Sequence, residues 1–373
     1  MRKLNILQIG TVGQPVIIGK SSAGGEKVLC GLDKEYTELE QNSFVAAPGD
    51  SITYGTLIKT IPHSIGIKKE IENDSEIYEK HYKKCIEFVI KHGNIHIIHD
   101  HPGRGFVNSK AYLKYKDSIR IPILITNHGI ELPGREKEHQ NLIEIIKKGY
   151  PIYINAFTKF HKEILEKTGI KIIETIPHGI PIENFEFRKE RGNYLFSLGR
   201  ICQQKGQAIA VQIARQNKIP LILGGSIQEK DYFDKEIKPF LNKNIKFIGT
   251  LNDEEKIKVY KNSLAYLALV TEPETFGLTL IESMACGTPV IAFDYGPMKE
   301  IIKNEKTGFI IKREMKNGEL DLEKMIKKTK DAILNIGKIS REECRKNVEE
   351  NFTSQKQAER YLHLYQTLIS RNL

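Results

Sequence analysis

Along the chain, short uninterrupted apolar runs alternate with longer charged stretches in which apolar positions return every three or four residues. A short run closed by Gly, Pro or Asn suits a strand buried on both faces, and the longer periodic stretch suits a helix laid over it. On that basis strands are predicted at 5–9, 95–99, 121–126, 152–155 and 170–176. The second half gives 194–198, 221–224, 245–248, 264–269, 290–293 and 309–311. Such regular alternation predicts parallel sheets covered by helices, an α/β architecture. The stretch Pro177-His178-Gly179-Ile180-Pro181 breaks the rhythm, and the charged segment from Arg188 to Arg191 follows before it restarts. Two units are therefore expected, 1–183 and 184–353, and 373 residues are enough for two separate cores.

Composition narrows the partners. Lys and Arg number 57 against 47 Asp and Glu, a net charge of +10. That excess suits nucleic acid, an anionic membrane surface or an anionic substrate, and it equally suits lysines spread over every solvated face. No arginine-rich arm, zinc finger or interleaving of basic and aromatic residues occurs, so nucleic acid is not expected. Cys30, Cys85, Cys202, Cys286 and Cys344 show neither a disulfide framework nor zinc-ligand spacing, and a reducing cytoplasm is the expected setting. The opening run from Leu4 to Ile9 is too short for a signal peptide, and no run reaches the roughly 18 apolar residues of a membrane span. Peripheral contact with an anionic membrane is what the charge leaves open.

In open α/β sheets ligands lie beyond the carboxyl ends of strands, so the polar clusters that follow strands carry the chemistry. Gly10-Thr11-Val12-Gly13, continuing to Ser21-Ser22-Ala23-Gly24-Gly25-Glu26, suits either a phosphate approached by backbone N–H groups or a plain loop; it has neither GxGxxG nor GKS/GKT spacing. Gly199-Arg200 and Lys205-Gly206 follow the strand at 194–198. Two surface charges are the bland alternative, but the position after a strand and the flanking glycines favour a shared anion. A third cluster runs from Thr271 to Pro289, with Glu274 in a loop, a helix starting at Gly277 or Leu278, and Glu282 one turn inside it. The free N–H groups of that helix start suit phosphate and Glu282 suits vicinal hydroxyls, although helix-start charge and a solvated face explain the same glutamates. A fourth cluster holds His96, His99, Asp100 and His101 after one strand and Asn127-His128-Gly129 after the next. No further Cys, His or carboxylate completes a metal site there, and capping of strand ends is the structural alternative.

With its neighbours, the third cluster resembles the retaining glycosyltransferases of the GT-B fold, glycosyltransferase family 4 in particular. The two glutamates of that family, separated by seven residues, fall on Glu274 and Glu282, and Phe276-Gly277-Leu278 and Glu282 through Val290 match around them. Its Gly-Arg and Lys-Gly element falls on Gly199, Arg200, Lys205 and Gly206. The resemblance covers essentially the whole chain and is strongest from about 194 to 312. It implies two Rossmann-like domains facing each other across a cleft, with a closing helix at about 354–373 packed back on the first. Arg200 and Lys205 would hold the donor diphosphate, Glu282 the ribose and Glu274 the donor-sugar hydroxyls, while Phe276, Gly277 and Leu278 offer backbone N–H groups. Gly24 and Gly25 would close on the diphosphate from the first domain, and His128 would face donor sugar and acceptor, with His99 and His101 beside it. The long loop from Gly10 to Gly24, with Pro15-Val16-Ile17-Ile18 inside it, departs from the commonest family pattern.

The activity so implied is transfer of a hexose-type sugar, with retention, from a nucleotide-diphosphate donor to a glycan, lipid-linked or small-molecule hydroxyl. Neither metal nor cofactor is expected, since two cations and a helix start stand where an Asp-x-Asp metal motif, absent from the chain, is otherwise used. No pair of first-domain carboxylates supports double displacement, and a dissociative attack on the same face is what the resemblance implies. A sugar-nucleotide epimerase and a non-catalytic nucleotide-sugar binding protein remain as alternatives. A phosphorylase would need a pyridoxal lysine that nothing marks, and a nicotinamide enzyme would need the missing fingerprint.

Overall fold

The computed structural model describes residues 2–19, 24–66, 75–103, 105–128 and 136–372. The chain forms two compact units, Met1–Gly179 with Ser354–Leu373, and Ile180–Thr353. The join falls inside the Pro177 to Pro181 punctuation, slightly ahead of the 183/184 break that the pattern suggests. Ile180 already belongs to the second unit because its N–H donates to the Phe352 carbonyl at 2.9 Å and it bridges to Thr353.

Seven parallel strands build the first unit: β1 (Asn5–Ile9), β2 (Asn42–Ala47), β3 (Thr56–Lys59), β4 (Ile97–Asp100), β5 (Ile123–Thr126), β6 (Ile152–Ala156) and β7 (Ile172–Thr175). Their order across the sheet is β3-β2-β1-β4-β5-β6-β7. β1, β4 and β5 are buried along their whole length, the property that produced uninterrupted apolar runs in sequence. The hydrophobic pattern does not predict β2 and β3. Pro48-Gly49 cut off the apolar run of β2, and β3 is an edge strand with exposed and half-buried residues, so neither reads as a central strand.

The second unit repeats the arrangement with β8 (Leu195–Leu198), β9 (Leu221–Gly224), β10 (Ile245–Phe247), β11 (Ala265–Ala268), β12 (Val290–Phe293) and β13 (Gly308–Ile311). Here the order is β10-β9-β8-β11-β12-β13, so each sheet reverses direction beside its own first strand, between β1 and β4 and between β8 and β11. Loops leaving the carboxyl ends at such a reversal diverge and open a crevice.

The helix Ser354–Arg371, which follows the second unit in sequence, completes the first. It lies against the helix Gly24–Glu38, where Gly31 has no side chain and Ser354 approaches its backbone closely. One chain of buried hydrogen bonds docks it. The Tyr36 hydroxyl meets the Tyr365 hydroxyl at 2.9 Å, which meets His99 Nδ1 at 2.6 Å. His99 Nε2 meets the Thr126 hydroxyl at 2.6 Å, which donates to Asn155 Oδ1 at 2.5 Å, and the Asn155 amide donates to the Tyr361 hydroxyl at 3.0 Å. Because Thr126 donates onward, it accepts from His99, so His99 carries its proton on Nε2 and accepts from Tyr365 on Nδ1. Replacing Tyr365 by Phe removes the hydroxyl that links two helices to the sheet. The expected loss is about 1–3 kcal/mol, the range for leaving a buried partner unpaired. Denaturant unfolding of the full chain checks it, and a loss below about 0.5 kcal/mol would contradict the docking role.

Candidate functional site

In the second unit the site begins with the turn between β8 and the helix Gln207–Asn217. Gly206 ends that turn at φ 70°, and a Cβ there would overlap the Leu269 carbonyl, so the Lys205–Gly206 step needs glycine twice over. Arg200 is exposed and its Nη1 donates to Gln228 Oε1 at 2.6 Å. Lys205 is half-buried and its ammonium is paired with the Glu274 carboxylate. Burial, then the Arg200 charge, push Lys205 down to about 8.

Glu274 stands on the loop between β11 and the helix Leu278–Ala285. Gly277 enters that helix at φ 101°, and a Cβ on it would lie 3.2 Å from Glu274 Oε2, so the carboxylate and the helix start are neighbours. Phe276 is buried with its ring 6.0 Å from Phe352, edge to face, and Leu278 begins the first turn. Glu282 is 5% exposed, and its carboxylate accepts from the Tyr260 hydroxyl at 3.2 Å. Thus Arg200, Lys205, Glu274 and the helix start gather on the two loops that diverge at the strand-order reversal, with Glu282 one turn further along. Helix-start N–H groups and two cations beside one another form a place for an anion.

The far end of this helix is tied down. Gly287 follows the Cys286 cap at φ 85° and stops it. Arg341, 2% exposed, donates to the carbonyls of Arg188, Ser263, Lys261 and Cys286 at 2.7 to 3.2 Å and to the Thr288 hydroxyl at 2.9 Å. Arg345 adds donors to Ala285 and Phe185.

In the first unit the stretch after β1 is an ordered ledge. Ile52 N–H donates to the Val16 carbonyl at 2.7 Å and Ile18 N–H to the Ile52 carbonyl at 3.2 Å, while Thr11 bonds the Glu26 carboxylate. Ser21, Ser22 and Ala23 of the predicted glycine-rich loop lie outside the described residues, as does Gly129. Gly24 and Gly25 open the helix Gly24–Glu38, and a Cβ on Gly25 would lie 4.0 Å from the His128 ring. Gly25 and His128, far apart in sequence, are therefore brought together.

His128 follows β5 and belongs to a row of rings. It lies 5.9 Å from His101 and 5.2 Å from His178, which is stacked within 5° of parallel. His101 in turn sits 3.9 Å from His99, and Phe157 closes on His178 at 3.7 Å. Burial drives His128 down to about 4 and holds His99, His101 and His178 well below the ordinary histidine value, with the neighbouring imidazoles adding to the effect. His99, expected beside the reacting groups, is fully buried with both nitrogens engaged in the docking chain, and it acts there as a core residue. His101 is buried in the row next to His128, and His96 accepts the Asn5 N–H on Nδ1 at 2.8 Å at the edge of β1. Sequence reasoning missed His178, treating Pro177-His178-Gly179 as punctuation, although its position just after the strand at 170–176 was the available signal. It also missed Tyr260, which no local pattern links to Glu282. Among the described residues no group of three or more His, Cys, Asp or Glu could hold a metal ion, and no helix is long and apolar enough to cross a membrane.

Two sheets of this order, each with its polar cluster at the reversal, define the GT-B class of fold. Residues 180–351, most of the second unit, match the family Glycosyl transferases group 1. It is 24% identical over 297 residues to an uncharacterized glycosyltransferase of Methanocaldococcus jannaschii, covering 71% of this chain and 72% of that protein. A second uncharacterized glycosyltransferase of that archaeon is 29% identical over 137 residues, 34% of this chain and only 35% of its own length. Among solved structures, the Anabaena protein HepE in complex with UDP and glucose superposes with a TM-score of 0.71 at 16% identity, over 98% of this chain and 100% of that one.

All eleven histidines of the chain lie in the segments of the first unit. Those of the row stay neutral when folded, whereas the unfolded chain takes up protons as pH falls through about 6.5. The sign is therefore that first-unit stability is full above about 6.5 and falls as pH drops toward 4. Hydrogen exchange of the full chain between pH 7 and 5 should show protection lost from the first unit before the second, and equal loss in both would refute the assignment.

Proposed function

We propose that the chain transfers a sugar from a nucleoside-diphosphate donor to a hydroxyl acceptor, with retention, the second unit holding the donor and His128 of the first serving the transfer. The observation that carries this reading is the juxtaposition of Arg200, Lys205 and Glu274 at the start of the helix Leu278–Ala285. A diphosphate placed there meets two cations and the positive end of a helix, which stabilise it as it departs with the bond electrons. As Lys205 turns to the phosphate, Glu274 is released for sugar hydroxyls, and Glu282, set by Tyr260, accepts from the ribose. The acceptor hydroxyl then attacks on the face the diphosphate leaves and gives it its proton. An uncharged His128 orients a reacting hydroxyl by hydrogen bonding at low electrostatic cost. The UDP bound by HepE supports a nucleotide donor, and a panel of UDP-glucose, GDP-mannose and ADP-glucose assigns it by thermal shift.

Replacing Glu282 by Ala should weaken binding of the nucleoside diphosphate that the panel selects by about 1–3 kcal/mol. Unchanged affinity, measured by calorimetry on a folded variant, would remove Glu282 from the site.

The charges assembled here do the work given elsewhere to a divalent ion, so turnover should survive excess EDTA. A steady-state assay decides it. Activity lost to the chelator and restored by Mn²⁺ or Mg²⁺ would overturn the cation assignment.

A further inference from the structure

We infer that His178 is a positioning residue for His128, fixed in one orientation and one tautomer by Gln357 of the closing helix. The inference rests on the reading that His128 serves the transfer. The two imidazoles lie 5.2 Å apart within 5° of parallel, and Phe157 packs on the pair, 3.7 Å from His178 and 5.1 Å from His128. His178 is thus a flat plate held against one side of the His128 ring, and it is 4% exposed.

Gln357, 3% exposed, fixes the plate. The Gly179 N–H donates to Gln357 Oε1 at 3.0 Å, and the amide nitrogen of Gln357 meets His178 Nδ1 at 3.3 Å. A backbone N–H can only donate, so the oxygen end of the amide must face Gly179 and the NH₂ end must face His178. Nδ1 of His178 is then an acceptor, and the neutral ring carries its proton on Nε2. Burial, with His128 and His161 nearby, keeps the ring uncharged through the neutral range, as a parallel stack of two imidazoles requires. The same amide joins His178-Gly179, where the chain leaves the first unit, to the helix that begins where it returns at Ser354. Nothing local in the sequence marks the pair, since Gln357 and His178 are 179 residues apart.

Turnover is read as release of nucleoside diphosphate by the full chain from the donor that the panel selects, alongside nucleotide affinity and melting temperature. His178→Ala should lower kcat about tenfold, a modest part of what a misplaced reacting group can cost, with donor KM and nucleotide affinity within about twofold. His178→Phe, which keeps a flat ring in the same place, should recover most of that loss. The double variant with His128→Ala should be no slower than His128→Ala alone, because a residue acting through another shows no added effect once that other is gone. Additive losses, or a His178→Phe variant as slow as His178→Ala at unchanged melting temperature, overturn the inference. If His128→Ala itself turns over normally, the reading of His128 fails and this inference falls with it. If His128→Ala is slow and His178→Ala is not, only the positioning role fails. The tautomer is read without turnover, from nitrogen-15 spectra of the imidazoles: His178 should appear as the Nε2–H form and become a mixture in Gln357→Met, whereas an Nδ1–H ring in the unaltered protein overturns the assignment.

Discussion

The site in the second unit depends on a buried guanidinium that, among the described residues, hydrogen-bonds to backbone and a hydroxyl rather than to a carboxylate. Arg341 meets four backbone carbonyls and one hydroxyl instead, and these come from three separate places: the segment entering the unit at Arg188, the turn before β11 at Lys261 and Ser263, and the end of the Leu278–Ala285 helix at Cys286 and Thr288. A charge taken out of water must have its donors satisfied, so these three pieces of backbone are held at fixed spacing around it. The cation also faces the negative end of the helix, which favours it. The consequence is felt at the other end. With the carboxyl terminus pinned by Arg341 and Arg345, the helix presents its start at Gly277 and its buried Glu282 from a rigid support, as a site on a regular element should.

The two units use different physics to make their polar ends. In the second, charges meet: Arg200, Lys205 and Glu274 lie close together, and the lowered Lys205 shows the cost of burial first and of the neighbouring Arg200 charge second. In the first, the row His99, His101, His128 and His178 is uncharged, and rings are oriented by stacking and by hydrogen bonds of fixed direction. In the transfer proposed above, a departing diphosphate would call for the former, and an acceptor hydroxyl that keeps its proton until the bond forms would call for groups of the latter kind.

Much of this was legible in sequence, and the division follows the range of the interactions. Central strands announce themselves because burial on both faces demands a continuous apolar run, and every such run of the second half became a strand. β2 and β3 escaped because a Pro-Gly stop and an edge position break that signature. Where Glu274, Glu282, Arg200 and Lys205 sit was legible because loops leaving strands fix the place of such residues, and their spacing within one loop and one helix is local. His99 misled for the same reason: its place after a strand says that it lies at the carboxyl end of the sheet. Nothing local says that Tyr365, 266 residues later, will cover it. Tyr260 and Gln357 were illegible for want of any pattern that links them to Glu282 and His178.

If the Lys205–Glu274 pair belongs to a donor site, as proposed above, its opposite charges have a physical reason. An unpaired, half-buried ammonium beside Arg200 would be costly and inclined to lose its proton, and a site without that charge would bind a diphosphate poorly. An opposite charge such as the Glu274 carboxylate lowers that cost. The diphosphate that replaces it brings more negative charge and more acceptor oxygens, so the exchange runs toward binding. It also frees a carboxylate next to the place where the sugar must lie. In the proposed transfer, the residue paired with the lysine would be released to the sugar by the same event that seats the phosphate, and donor binding and sugar alignment would become one step.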